Sequence, residues 1–134
     1  MNLNFSMSEL IYSDTAILYK INNMPDINSL DNMLNLIFYC LQPLRNKLGK
    51  PMIISSGYRC KELNEHPKIK GAKNSQHRLG QAIDFTVKGM TIKQIIDFVN
   101  KSGIEYDQLI NEYNKWVHIS FVKGKNRKQC FSIG

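Results

Sequence analysis

Between residues 28 and 48 the apolar side chains Leu30, Met33, Leu34, Ile37, Phe38, Leu41, Leu44 and Leu48 recur three or four positions apart, the period that aligns one face of a helix. This stretch predicts the longest helix of the chain. Pro43 falls inside it, where a missing N–H and a crowding ring interrupt the hydrogen-bond ladder, so a kink or a division is expected there. Gly49 followed by Pro51 predicts the stop. Upstream, Ser6 and Glu9 have the spacing of a capping box, which predicts a short helix over residues 6–12. Downstream, Thr91 precedes Ile92, Ile95, Ile96 and Val99, a capped helix that Gly103 should close.

Other segments carry the shorter signature of strands. Residues 52–55 read as a short buried strand ended by Ser56 and Gly57, and residues 82–87 alternate as a strand does. Residues 106–110 and 116–122 predict two more strands around the polar turn 111–115. Between the first two strands, residues 61–76 are polar and broken by Pro67 and Gly71, so one helical turn at 61–64 should give way to loop. Pro25, Pro43, Pro51 and Pro67 stand singly, and there is no repeat or linker composition. The order predicts an α+β fold, a single domain over residues 1–134 with N-terminal helices packed on a small antiparallel sheet.

Composition narrows the class. A length of 134 residues suits one core, and 43% hydrophobic with 22% charged residues is the balance of a globular protein rather than a disordered one. No run of 18 apolar residues occurs, so no membrane span is expected. The first residues lack a basic and apolar leader, which predicts synthesis in the cytoplasm without an export signal. Cys40, Cys60 and Cys130 are an odd number without CxxC spacing, and are expected to be reduced thiols. The formal net charge of +7 favours an anionic polymer as partner, nucleic acid or cell wall. Tyr58, Phe85, Trp116 and Phe121 sit in strand or core patterns rather than on a basic stacking platform, so nucleic acid is not expected. The run from Lys123 to Lys128 reads as a solvated turn.

The chemistry concentrates in two strings. In Ser75-Gln76-His77-Arg78-Leu79-Gly80-Gln81-Ala82-Ile83-Asp84, a loop histidine and a strand carboxylate are joined by a glycine turn and can offer one nitrogen and one oxygen to a divalent cation. In Trp116-Val117-His118-Ile119-Ser120, alternation turns Trp116, His118 and Ser120 to one face. Two histidines and one carboxylate are a usual catalytic Zn2+ set, with a fourth position left for water. Arg59, just after the first strand, can present donors to an oxyanion or a carboxylate. His66 has no partner at ligand spacing, and Cys60 no free histidine to act as its base, so both are expected outside the chemistry.

Together, Ser-x-His-x-x-Gly-x-Ala-x-Asp and Trp-x-His resemble the zinc D-Ala-D-Ala carboxypeptidase and L-alanyl-D-glutamate endopeptidase family of peptidoglycan peptidases, which includes bacteriophage endolysins. The resemblance covers about residues 51–121. It implies His77, Asp84 and His118 as zinc ligands and Ser75, Gln81 and Trp116 as substrate contacts. The string Ser55-Ser56-Gly57-Tyr58-Arg59 is similar to the family's Ser-Gly-Tyr-Arg segment and implies that Arg59 stabilises charge on the scissile carbonyl oxygen.

One position departs from that pattern. Better-known branches place a glutamate three residues before the last histidine, and here Lys115 stands there. Lysines are ordinarily protonated at neutral pH and cannot accept the proton of an attacking water. Glu112, six residues before His118, is expected as general base, with Asp107 and Glu105 next. The expected function is hydrolysis of peptidoglycan stem peptides by a monomer acting at the wall after release or delivery with a virion. Its rival is a zinc-stabilised wall-binding protein of the same fold that no longer turns over.

Overall fold

A computed structural model describes residues 3–134, so the first two residues of the expected domain lie outside the described ones. The N-terminal half is helical: α1 (Met7–Ile11), α2 (Asp14–Leu18), α3 (Ile27–Leu36) and α4 (Gln42–Leu48). Ser6 caps α1 by accepting from the Glu9 N–H, as its spacing predicts. The α2 helix, capped by Ser13, has no counterpart in the apolar pattern, since only Ala16 of its five residues is buried.

The long apolar stretch divides, and the division falls one turn before Pro43. Residues Ile37–Leu41 form a π-helical turn in which the Gln42 N–H reaches back to the Ile37 carbonyl, and Pro43 then sits in the opening turn of α4. The wider turn absorbs the carbonyl that the proline ring would otherwise strike and the N–H it lacks. The buried face is also narrower than the sequence stripe. Met33, Leu36, Ile37, Cys40, Leu41 and Leu44 are buried, whereas Leu30, Leu34 and Phe38 remain exposed. The sheet covers only one side of the helix, so apolar spacing alone overstates the face.

The sheet holds five strands in the order β1-β2-β4-β3-β5. These are β1 (Ile53–Ser56), β2 (Ala82–Thr86), β3 (Gln108–Glu112), β4 (Trp116–Ser120) and β5 (Gln129–Ile133). The first four are antiparallel, in line with expectation, but β5 adds a parallel edge along β3 and makes the sheet mixed. All five β5 residues are exposed, which is why no apolar alternation announces it. α5 (Lys61–Glu65) and the 3-10 turn Gln76–Leu79 lie between β1 and β2, and α6 (Ile92–Ser102) between β2 and β3. Thr91 and Gln94 form a full capping box at the start of α6.

Alternation divides the sheet into two faces. Ile83, Phe85, Leu109, Val117 and Ile119 meet Leu36, Cys40, Leu44, Ile95 and Val99 in the core, and each fully buried side chain of this size contributes roughly 1.5–3 kcal/mol. The opposite face carries the row Asp84, His118, Ile110, directly opposed across β2, β4 and β3. The strand register therefore sets two of the three expected ligands side by side.

Candidate metal centre

His77 reaches that row from the loop side. Ser75 starts the 3-10 turn by accepting from the His77 N–H at 3.1 Å, and Gly80 ends it with φ +73, its missing Cβ leaving room for the Ser29 carbonyl of α3. The Ser-Gly-Tyr-Arg turn then locks the histidine in both directions. His77 Nδ1 lies 2.8 Å from the Gly57 carbonyl oxygen, and the Arg59 N–H donates to the His77 carbonyl at 2.9 Å. A carbonyl can only accept, so Nδ1 carries the proton and the lone pair of Nε2 points to the sheet.

The three side chains converge out of water. His77, Asp84 and His118 are 3%, 8% and 7% exposed, and one donor atom from each lies within 4.8 Å of the others. His77 Nε2 and His118 Nδ1 are each 3.3 Å from Asp84 Oδ1. Yet that Oδ1 accepts no hydrogen bond of proper angle, and His118 Nε2 also lacks a partner. A buried carboxylate oxygen left without a donor is costly, and two nitrogens and an oxygen facing a common point form a donor set suited to zinc. Burial pushes the Asp84 carboxyl up, but the imidazoles of His118 and His77 outweigh it and hold the group below the usual carboxylate range, ionised as a ligand must be.

A family model described as Peptidase M15 matches residues 3–120. The chain belongs to the M15 peptidase family. The match takes in the N-terminal helices as well as the sheet and so reaches further than residues 51–121. M15 peptidases are zinc-dependent, and His77, Asp84 and His118 are the cluster in this member that could bind the metal. No curated protein matches the chain.

Around the cluster runs a cleft of about 530 Å³ whose walls include Arg59, Ser75, Glu112 and Trp116. Burial lowers the pKa of Arg59, and Asp84 and Glu112 oppose that shift. Its Nε is buried without a partner, and its side chain forms part of the cleft wall. Glu112 opposes Trp116 across the hairpin, and the Trp116 indole N–H donates to Glu112 Oε1 at 2.7 Å. Lys115 stands exposed in the turn, away from the cleft lining. Glu112 thus enters the cleft from β3, two places along the ladder from the row that holds His118.

Several expected residues fall elsewhere. Gln81 does not line the cleft, and its carbonyl accepts from the Phe121 N–H. Ser75 lines it, with its hydroxyl engaged on the His77 backbone. Glu105 is exposed beside a separate pocket with Lys125 and Lys128. Asp107 is 1% exposed and accepts from Gln76 Nε2, the Arg127 backbone and the Arg127 guanidinium, so its carboxylate is fully engaged. The run from Lys123 to Lys128 is exposed apart from half-buried Asn126, and Arg127 reaches Asp107 while its own side chain stays 51% exposed. His66 packs against Tyr19 with ring centroids 4.3 Å apart. All three cysteines are free, and burial pushes the Cys40 thiol up to about 12.

Two supports of the site had no signal in the sequence. Buried Asn23 donates to the Ile11 and Tyr58 carbonyls and accepts from the Cys60 N–H, clamping both sides of Arg59. Gln76, next to His77, is tied to Asp107 at 2.8 Å. Each is a polar residue in a polar segment, and only the folded chain reveals what it touches.

Proposed function

We propose that this M15 peptidase hydrolyses peptide bonds in peptidoglycan stem peptides, with zinc held by His77, Asp84 and His118 in a single domain. The observation that supports this most is the orphaned Asp84 oxygen between two imidazole nitrogens, beside a cleft that holds Arg59 and the Glu112 carboxylate. When bound, zinc supplies Lewis acidity and lowers the pKa of water to about 7.

The remaining roles belong to the chain's own groups. Glu112 takes the proton of the attacking water, Trp116 fixing one of its oxygens while the other stays available. Arg59 donates to the oxyanion that develops on the scissile carbonyl, pre-set by the Gly57–His77–Arg59 interlock. Trp116 and Ser75 line the bound peptide. A surplus of seven positive charges draws the protein to anionic wall polymer, which it reaches after release or delivery with a virion, as an endolysin-like monomer.

Metal analysis of the purified protein tests the ligand set. Wild type should carry about one zinc per chain, and His77→Ala, Asp84→Ala or His118→Ala should each lose most of it. Full zinc retention in all three variants would refute the assignment.

A further inference from the structure

The two histidines of the cluster are not equally supported. His77 faces Asp84 with Nε2, and the hydrogen on its Nδ1 is taken by the Gly57 carbonyl at 2.8 Å. His118 is turned the other way, with Nδ1 3.3 Å from Asp84 Oδ1. A nitrogen that binds a metal gives its lone pair, so the ring hydrogen of His118 falls on Nε2. That nitrogen is buried and has no partner among the described residues. Ligand histidines ordinarily donate their outer N–H to a carboxylate, a carbonyl or water, which fixes the ring and raises its basicity. His118 therefore lacks an acceptor.

An acceptor without a donor lies in the same wall. Gln76 and His118 both line the cleft of about 530 Å³. Gln76 Nε2 donates to Asp107 Oδ2 at 2.8 Å, and because a carboxylate only accepts, this contact fixes which end of the amide is which. Arg127 holds Asp107 in turn, through its backbone N–H and its guanidinium. Gln76 Oε1 is left buried without a partner among the described residues, a state that carries the full desolvation cost of the group. The sheet sets this amide near His118. The Asp107 N–H donates to the Ser120 carbonyl at 2.7 Å, and Ser120 follows His118 by two places on β4, a rise of roughly 7 Å on the same face. Gln76 also directly precedes His77, whose ring lies edge-on to that of His118 with centroids 5.3 Å apart.

We infer that Gln76 is a positioning residue for the metal centre: in the zinc-loaded protein its Oε1 accepts the Nε2 hydrogen of His118, and the chain from Arg127 through Asp107 to Gln76 holds that ring in place. This rests on the ligand set proposed above and adds to it the group that orients one ligand. It also gives the buried Asp107 carboxylate a part in the site that is not a base's: Asp107 sets the direction of the Gln76 amide, and the amide acts on His118.

The test measures zinc affinity by competition with a chelator and follows the His118 ring by NMR of protein labelled with 15N-histidine. Zinc-loaded wild type should show a His118 Nε2–H resonance that exchanges slowly with water, a readout that needs no variant to fold. Gln76→Met keeps the length of the side chain and removes the amide, so it should bind zinc about 10- to 100-fold more weakly and let that hydrogen exchange freely. Fast exchange in zinc-loaded wild type, or an unchanged zinc affinity in Gln76→Met, would overturn the inference and leave the ligand set and the peptidase reading standing. Weaker zinc binding with the hydrogen still protected would give Gln76 a purely structural role and overturn it as well. If wild type binds no zinc, the ligand set falls together with this inference.

Discussion

Arg59 shows how much a single residue depends on its surroundings. Its backbone is held by His77 and, through Asn23, by the N-terminal segment, and its guanidinium is half-buried beside Asp84 and Glu112. A planar fork so placed offers two donors in fixed directions, which a lysine ammonium does not reproduce. Arg59→Lys should keep zinc content and Tm close to wild type while lowering kcat. Arg59→Ala should lose about 2–4 kcal/mol of transition-state stabilisation. Steady-state kinetics alongside metal analysis checks both, and undiminished turnover in the lysine variant would move Arg59 to a structural role. The sequence made Arg59, His77, Asp84 and His118 legible because each belongs to a dense local string. Asn23 was not legible, since its three partners come from segments up to 37 residues distant.

At the scale of elements, the β3–β4 hairpin carries the departure from the better-known family pattern. Tyr113 and Asn114 have φ of 59 and 55, and the Lys115 N–H donates to the Glu112 carbonyl at 3.1 Å, so the turn is type I′ with a tyrosine where glycine or asparagine is usual. With Lys115 it makes a three-residue loop, 113–115, across which Glu112 stands opposite Trp116 and Ile110 opposite His118. Glycine has no Cβ penalty in this region, whereas a β-branched side chain is badly strained. Tyr113→Gly should therefore be more stable than Tyr113→Val by about 1–2 kcal/mol in denaturant unfolding, and the reverse order would contradict the left-handed turn.

The fifth strand depends on an ion pair in a different way. Asp107 accepts from the Arg127 backbone and guanidinium and from Gln76. Burial raises its pKa, but these contacts more than compensate and hold it below the usual carboxylate range. A folded-state pKa below the unfolded value of about 4 means stability is present above that pH and is lost as the pH falls through the folded value. Wild type should accordingly lose more stability between pH 7 and pH 3 than Asp107→Asn does, measured by Tm across pH. Equal losses would contradict the role of this pair. Strands β2 and β4 were readable because apolar residues that enter the core alternate with the polar row of Asp84 and His118. β5 was not, because an exposed edge held by Asp107 and by main-chain bonds to β3 needs no apolar code.

The whole molecule joins these parts into one site: the sheet register aligns Asp84 with His118, the Ser-Gly-Tyr-Arg turn delivers His77 and Arg59, and the hairpin brings in Glu112. No helix among the described residues is long and apolar enough to cross a membrane. Family membership and the three-residue cluster give a metallopeptidase, and the general-base role proposed for Glu112 is the point on which a working enzyme and an inert zinc protein differ. The most direct measurement is digestion of purified peptidoglycan by zinc-loaded wild type and Glu112→Gln, with mass analysis of the released ends. Glu112→Gln preserves size and the capacity to accept from Trp116 while removing the proton acceptor, so it should retain zinc and release muropeptides about 100-fold more slowly or less. Hydrolysis at the wild-type rate by Glu112→Gln, or none by zinc-loaded wild type, would contradict the account.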